Sequence, residues 1–125
     1  MARLLKPGGL LYLFEEHPIS WVFDRESSEV KTDPGYGGYF ADAAYSSQGW
    51  TPQYIGDLNR PKEEQAVKYE RQWKLGDVMN ALIEAGLGVE RFEEHPDRFW
   101  NDFPNMPDEE ADRFPHTYSL LARKP

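Results

Sequence analysis

The 125-residue chain has no cysteine, which excludes disulfides and thiolate metal sites. Basic residues are scarce. Fourteen Lys and Arg face 22 Asp and Glu, for a formal net charge of −8. Binding to a nucleic-acid backbone rests on clustered Lys and Arg, so neither that partner nor an anionic membrane surface is expected. No apolar run approaches transmembrane length, and the N-terminus has no long apolar core of the signal-peptide kind. The chain is therefore expected to be cytoplasmic. Its three histidines, at 17, 95 and 116, have no helix or hairpin ligand spacing, so no metal site is expected. There is no serine elbow and no phosphate loop. Gly35-Tyr36-Gly37-Gly38 is glycine-rich, but no strand pattern precedes it and no helix pattern follows. That context is a turn and not a ligand cradle.

What is present is organised around residues 3–17. Ala2, Leu4 and Leu5 read as the tail of an amphipathic helix, with Lys6 at the negative end of its dipole. Pro7 stops the helix, and Gly8 and Gly9 accept the positive φ of a reversal. Leu10 to Phe14 is a continuous apolar run of strand length, expected where both faces of a parallel sheet are covered. Glu15, Glu16 and His17 gather at its carboxyl end, where ligands bind in open α/β sheets. Residues 18–73 read as an insertion or cap, rich in Gly, Pro and aromatics. Within it, 65–73 alternate as a half-buried strand expected to pair with the segment around Tyr39. Leu75, Val78, Met79, Leu82 and Ile83 form one apolar helix face, ended by Gly86 and Leu87. Lys74 stands at the N-cap of that helix and cannot accept its amide hydrogen bonds. Val89–Glu93 reads as a strand near a sheet edge, Pro107-Asp108-Glu109-Glu110 as a helix start, and Thr117–Arg123 as the last strand. Glu94-His95-Pro96 repeats the end of the first strand, by coincidence since the flanks differ.

The Leu-Lys-Pro-Gly-Gly-x-Leu run and its strand resemble the junction between a helix and the fifth strand of class I (Rossmann-like) S-adenosylmethionine-dependent methyltransferases. Residues 69–87 resemble the next helix of that family, 89–94 its sixth strand and 117–124 its closing antiparallel strand. The resemblance spans nearly the whole chain but only the C-terminal half of the family's domain. It implies an α/β fold: a partial Rossmann-like sheet of the last three strands, the final one antiparallel, with one main helix and an aromatic-rich insertion. It also implies a single incomplete domain over 1–125, divided as 3–17, 18–73 and 74–125, that starts as if cut inside a helix. The family's glycine-rich cofactor loop and its ribose-binding acid have no counterpart. S-adenosylmethionine is the cofactor by resemblance, and the cofactor-binding residues are unknown.

The implied function is the substrate-side portion of a small-molecule methyltransferase, inactive alone. The alternative is a non-catalytic ligand-binding or oligomerisation module of the same descent. His17 is the candidate catalytic residue, able to accept a proton from a nucleophilic substrate. Glu16, Tyr39, Tyr69 and Arg71 are the candidate substrate-binding residues, since the fifth-strand end and the insertion face the substrate in the family. Glu15 with Glu16, and Glu93 with Glu94, are strand neighbours on opposite faces, so neither pair is a catalytic dyad. The first strand lacks an inner neighbour and one sheet face lacks helices. The chain is expected to form a homodimer, or to join a chain supplying the missing half.

Overall fold

The structure is a computed structural model that describes residues 2–35, 38–40, 44–47, 61–64 and 68–125, with backbone alone at 44–47, 62 and 68–70. It divides into two compact units, one of Met1–Ala41 with Trp73–Pro125 and one of Asp42–Gln72.

The first unit holds three strands: β1 (Leu10–Glu16), β4 (Gly88–His95) and β5 (Thr117–Arg123). Their order is β1-β5-β4, and β5 is antiparallel to both neighbours. β1 and β4 thus run parallel, with the last strand between them, as the sequence implies. The fold is α/β, with the partial methyltransferase-like sheet expected. β5 is the best buried strand, Thr117 to Leu120 and Ala122 all being covered. A bulge between Val89 and Arg91 shifts the β4 register. Glu90, the extra residue, reaches Arg123 of β5 with both carboxylate oxygens.

The helix α1 (Leu75–Glu84) covers one face. Leu82, Leu87, Leu120 and Ala122 form that core, flanked by Leu11, Leu13, Val78, Met79, Val89 and Phe92. Ile83, expected in the apolar stripe, is instead exposed. The helix ends where expected. Gly86 has φ +74°. Its N–H donates to the Ile83 carbonyl, and the Leu87 N–H donates to that of Leu82. This is the Schellman arrangement, closed by the contact of buried Leu82 and Leu87.

The start of the chain differs from expectation in detail. Ala2–Leu4 is a short 3-10 turn. Lys124, not Lys6, donates to its end, at 3.0 Å from the Ala2 carbonyl and 2.8 Å from that of Leu5. Gly8 takes positive φ, whereas Gly9 is needed for closeness: a Cβ there would lie 2.8 Å from the Lys6 oxygen. β1 is also not covered on both faces. Leu11 and Leu13 face the α1 core, while Leu10, Tyr12 and Phe14 are 49%, 65% and 42% exposed on the other side. With no described helix over that side, these alternate residues of the apolar run stay largely open, Phe14 meeting the Phe99 and His95 rings.

Beyond the carboxyl ends of β1 and β4, a second cluster gathers Phe103, Met106, Ala111 and Phe114 with Phe23 and Val30. It includes the short helix α2 (Asp108–Ala111), with Pro107 at its N-cap, one residue before the N1 position that the sequence pattern suggests. In the second unit, β2 (Ala44–Ser47) and β3 (Lys68–Arg71) form an antiparallel pair. β3 therefore pairs with 44–47 and not with the segment around Tyr39, which is a turn. Alternation predicts a strand but not its partner. Residues 65–67 and the glycine-rich Tyr36-Gly37 lie outside the described residues.

Candidate functional site

The carboxyl ends of β1 and β4 carry the polar residues of the sheet. Pairing register decides which of them meet. Glu15 lies opposite Tyr118, and Tyr118 lies opposite Glu94. Opposite residues in a ladder project to the same face, so Glu15, Tyr118 and Glu94 form one row across three strands. That row continues the face carrying Leu13, Leu120 and Phe92. The two carboxylate-bearing residues stand about 10 Å apart, two strand spacings. On the other face, Glu16, Thr117 and His95 form the corresponding row. The repeated Glu-Glu-His-Pro segments are thus offset by one residue in space.

His17 is the first residue past β1 and is 4% exposed. Its Nδ1 accepts the Ile19 N–H at 3.1 Å, capping the 3-10 turn Pro18–Val22. An accepting Nδ1 carries no proton, so Nε2 carries it and donates to Glu94 Oε1 at 2.8 Å. These two bonds fix the tautomer and tie the exit of β1 to β4. A proton-accepting role toward a ligand requires that one of them be released. The His17 ring also stands edge-on to Tyr118, with centroids 6.2 Å apart.

Tyr118 is 5% exposed. Burial, then Glu15, then Tyr39 push its phenol pKa up. The hydroxyl makes no hydrogen bond among the described residues, and it is not sealed from solvent. Glu15 likewise has no hydrogen bond or ion pair there, and the Glu94 side chain is half exposed. Tyr118 and Glu94 escape sequence reasoning because only the register places them together.

The other candidates have definite positions. Glu16 Oε2 accepts the Trp21 indole N–H at 2.9 Å. Arg25 lies over the Trp21 ring, 4.5 Å from its centroid, and donates to Asp102 at 3.0 Å. Tyr39 Oη accepts the Leu75 N–H at 3.1 Å. It supplies from 36 residues away the first-turn acceptor that Lys74 cannot provide; Lys74 pairs instead with Asp77 at 3.1 Å. Tyr69 and Arg71 stand on β3 of the second unit, where Arg71 is exposed. His95 bonds Ser119 Oγ at 2.8 Å. His116 is buried, with Nε2 on the Ala111 carbonyl at 2.8 Å and Nδ1 unpartnered. Burial holds its pKa below the usual imidazole value.

Two site types can be tested on these residues. Among the described residues, no three His, Asp or Glu side chains gather as metal ligands. Where the residues after a strand are described, no glycine-rich turn opening a helix follows: β1 leads to His17-Pro18, β3 to Lys74 and β4 to Pro96. The described residues do not fit a cradle for S-adenosylmethionine. No helix is long and apolar enough to cross a membrane among the described residues.

No family model matches the chain, and no curated protein matches it. Among solved structures it is similar to an S-adenosylmethionine-dependent methyltransferase from Mesorhizobium loti, with a TM-score of 0.54 and 22% identity. The match covers 98% of this chain and 54% of that one, so the chain spans about half the length of its structural neighbour. What the likeness shows is the fold: this chain has a methyltransferase-like fold.

Proposed function

We propose that this chain is the substrate-side, C-terminal portion of an S-adenosylmethionine-dependent methyltransferase acting on a small molecule. The observation that carries the reading is the sheet order β1-β5-β4 in a chain matching about half of a methyltransferase. Methyl transfer asks a protein mainly to align acceptor and donor and to keep water away. The polar row at the carboxyl ends of β1 and β4 would hold the acceptor, with His17 fixing the direction of Glu94 and Glu16 anchoring Trp21. In this reading Tyr39 is a further substrate-binding candidate of the first unit, and Tyr69 and Arg71 are the candidates carried by the second. S-adenosylmethionine, when bound, supplies an electrophilic methyl group. The residues that hold it lie outside these 125, so this chain alone transfers no methyl group. Its partner is a polypeptide carrying the cofactor-binding half, or a second copy of the chain.

Calorimetric titration with S-adenosylmethionine and S-adenosylhomocysteine tests this. Neither is expected to bind the isolated chain. Micromolar binding would show a cofactor site built by these residues and would remove the claim of a missing half.

A second reading is a non-catalytic ligand-binding or oligomerisation module. The open face bearing Leu10, Tyr12 and Phe14 favours it. Stable self-association without methyl transfer, even beside a cofactor-binding partner, would support that reading over the first.

A further inference from the structure

We propose that the row Glu15-Tyr118-Glu94 is a binding site for an organic ammonium group, so that the small molecule taken by this chain is an amine. The inference deepens the functional reading above and rests on it only in calling that amine the methyl acceptor.

Three observations carry it. The register places two carboxylate side chains on one face, either side of a tyrosine. Neither is neutralised. Glu15 has no ion pair among the described residues, and the group bonded to Glu94 is an imidazole whose Nδ1 accepts a backbone N–H. The Tyr118 side chain is more than nine-tenths buried, yet its hydroxyl is unbonded and open to solvent. A buried tyrosine hydroxyl ordinarily finds a partner. Glu15 and Glu94 flank it in the row, the His17 and Phe92 rings pack against its ring, and the Tyr39 hydroxyl also acts on it while accepting the Leu75 N–H. Among the described residues, no Lys or Arg pairs with this row. An ammonium group offers up to three N–H donors and a full positive charge. It can bond the Tyr118 oxygen and one carboxylate together, beside aromatic rings that favour a cation. A neutral alcohol of the same shape supplies one donor and no charge. An anion meets two carboxylates and is repelled.

The test is titration of the chain at pH 7 and fixed ionic strength with n-butylamine, 1,4-diaminobutane and n-butanol, without S-adenosylmethionine. Calorimetry reads affinity, and NMR reads the Tyr118 ring. Both amines are expected to bind saturably and to shift the Tyr118 resonances, and butanol is not. Glu15→Gln and Glu94→Gln should each weaken amine binding about tenfold, the value of a charge-assisted bond. Glutamine at 94 keeps an acceptor for His17, so the fold is retained. Tyr118→Phe should weaken binding while keeping the ring contacts. Glu109→Gln, an exposed acid on α2, should change nothing. The site is overturned by an absence of saturable binding or by equal binding of butanol. It is equally overturned if Glu109→Gln weakens binding as much as Glu15→Gln, since that is diffuse attraction to a chain of net charge −8. Because no cofactor is present, failure here leaves the methyltransferase reading standing, and cofactor binding by this chain alone would leave the amine site standing.

Discussion

The two faces of the sheet are built from the same strands and have opposite fates. On one, Leu11, Leu13, Leu120, Ala122, Val89 and Phe92 lie under α1. On the other, Leu10, Tyr12 and Phe14 stand largely open, with Phe14 partly sheltered by Phe99 at 5.0 Å and by His95 at 5.8 Å. Five consecutive apolar residues are a costly sequence for a strand covered on one side. A half-exposed strand ordinarily alternates apolar and polar residues. β1 thus carries more apolar surface than the described residues cover. The polar row then lies at the end of the covered face, on rigid strands, where its geometry is fixed.

The largest effect should come from the closed face. Leu120 is 1% exposed at the centre of that core. Leu120→Ala is expected to cost about 3 kcal/mol, from lost burial plus the cavity left behind. Urea unfolding monitored by tryptophan fluorescence would measure it. Leu10→Ala, the same truncation on the open face, should cost far less. Equal losses would show that the open face is covered in solution.

The cover itself can be loosened at its cap. Tyr39→Phe removes the acceptor for the Leu75 N–H and keeps the ring against Phe40. It should cost about 1 kcal/mol, the usual value of a helix cap. Lys74→Thr in that background should restore part of the loss, since threonine can cap where lysine cannot. Hydrogen exchange in the first turn of α1 would report both.

A third effect belongs to the cluster past the strand ends. The His116 pKa is lowered in the fold by burial. The unfolded chain therefore binds that proton more readily, so stability rises with pH through this group. Its contribution is full above the unfolded value of about 6.5 and is lost as pH falls through the lower folded value. His116→Gln keeps a donor for the Ala111 carbonyl and should flatten melting temperature against pH on that acid side. An unchanged slope would place the acid sensitivity elsewhere.

Legibility in the sequence follows the range of the interactions concerned. Thr117–Arg123 and the limits of α1 are readable because local pattern, proline and the Gly86 signal all act within a few residues. The strand order follows from resemblance and not from periodicity. Long-range pairings are not readable. Tyr39 capping Leu75, Lys124 closing the first turn, and β3 choosing 44–47 each join segments whose local patterns say nothing of one another. The candidate site divides in the same way. His17 is found by its place at a strand end. Tyr118 and Glu94 need a register that the bulge at Glu90 shifts by one residue, so counting from the repeated tetrad pairs the wrong glutamate with Glu15.

The smallest change in folding energy should accompany the clearest change in assembly. Tyr12 is the most exposed of the large apolar residues on the open face of β1 and is not part of the α1 core. Tyr12→Thr keeps a strand-forming side chain and removes apolar surface. Its effect on the stability of the single chain should stay within about 0.5 kcal/mol. If a second copy or a partner polypeptide covers the open face, as proposed, the same change removes a contact from the centre of that interface. The unaltered chain is then expected to sediment above monomer mass at roughly tens of micromolar, and Tyr12→Thr to shift it toward monomer. Leu10→Thr should act in the same direction and add to it, because the two side chains share one face of one strand. An unaltered chain that stays monomeric at that concentration would reject self-association and leave a separate partner as the only proposed cover. A variant that associates as strongly as the unaltered chain would move the interface to the free edge of β1, where pairing runs through backbone groups and is indifferent to Tyr12.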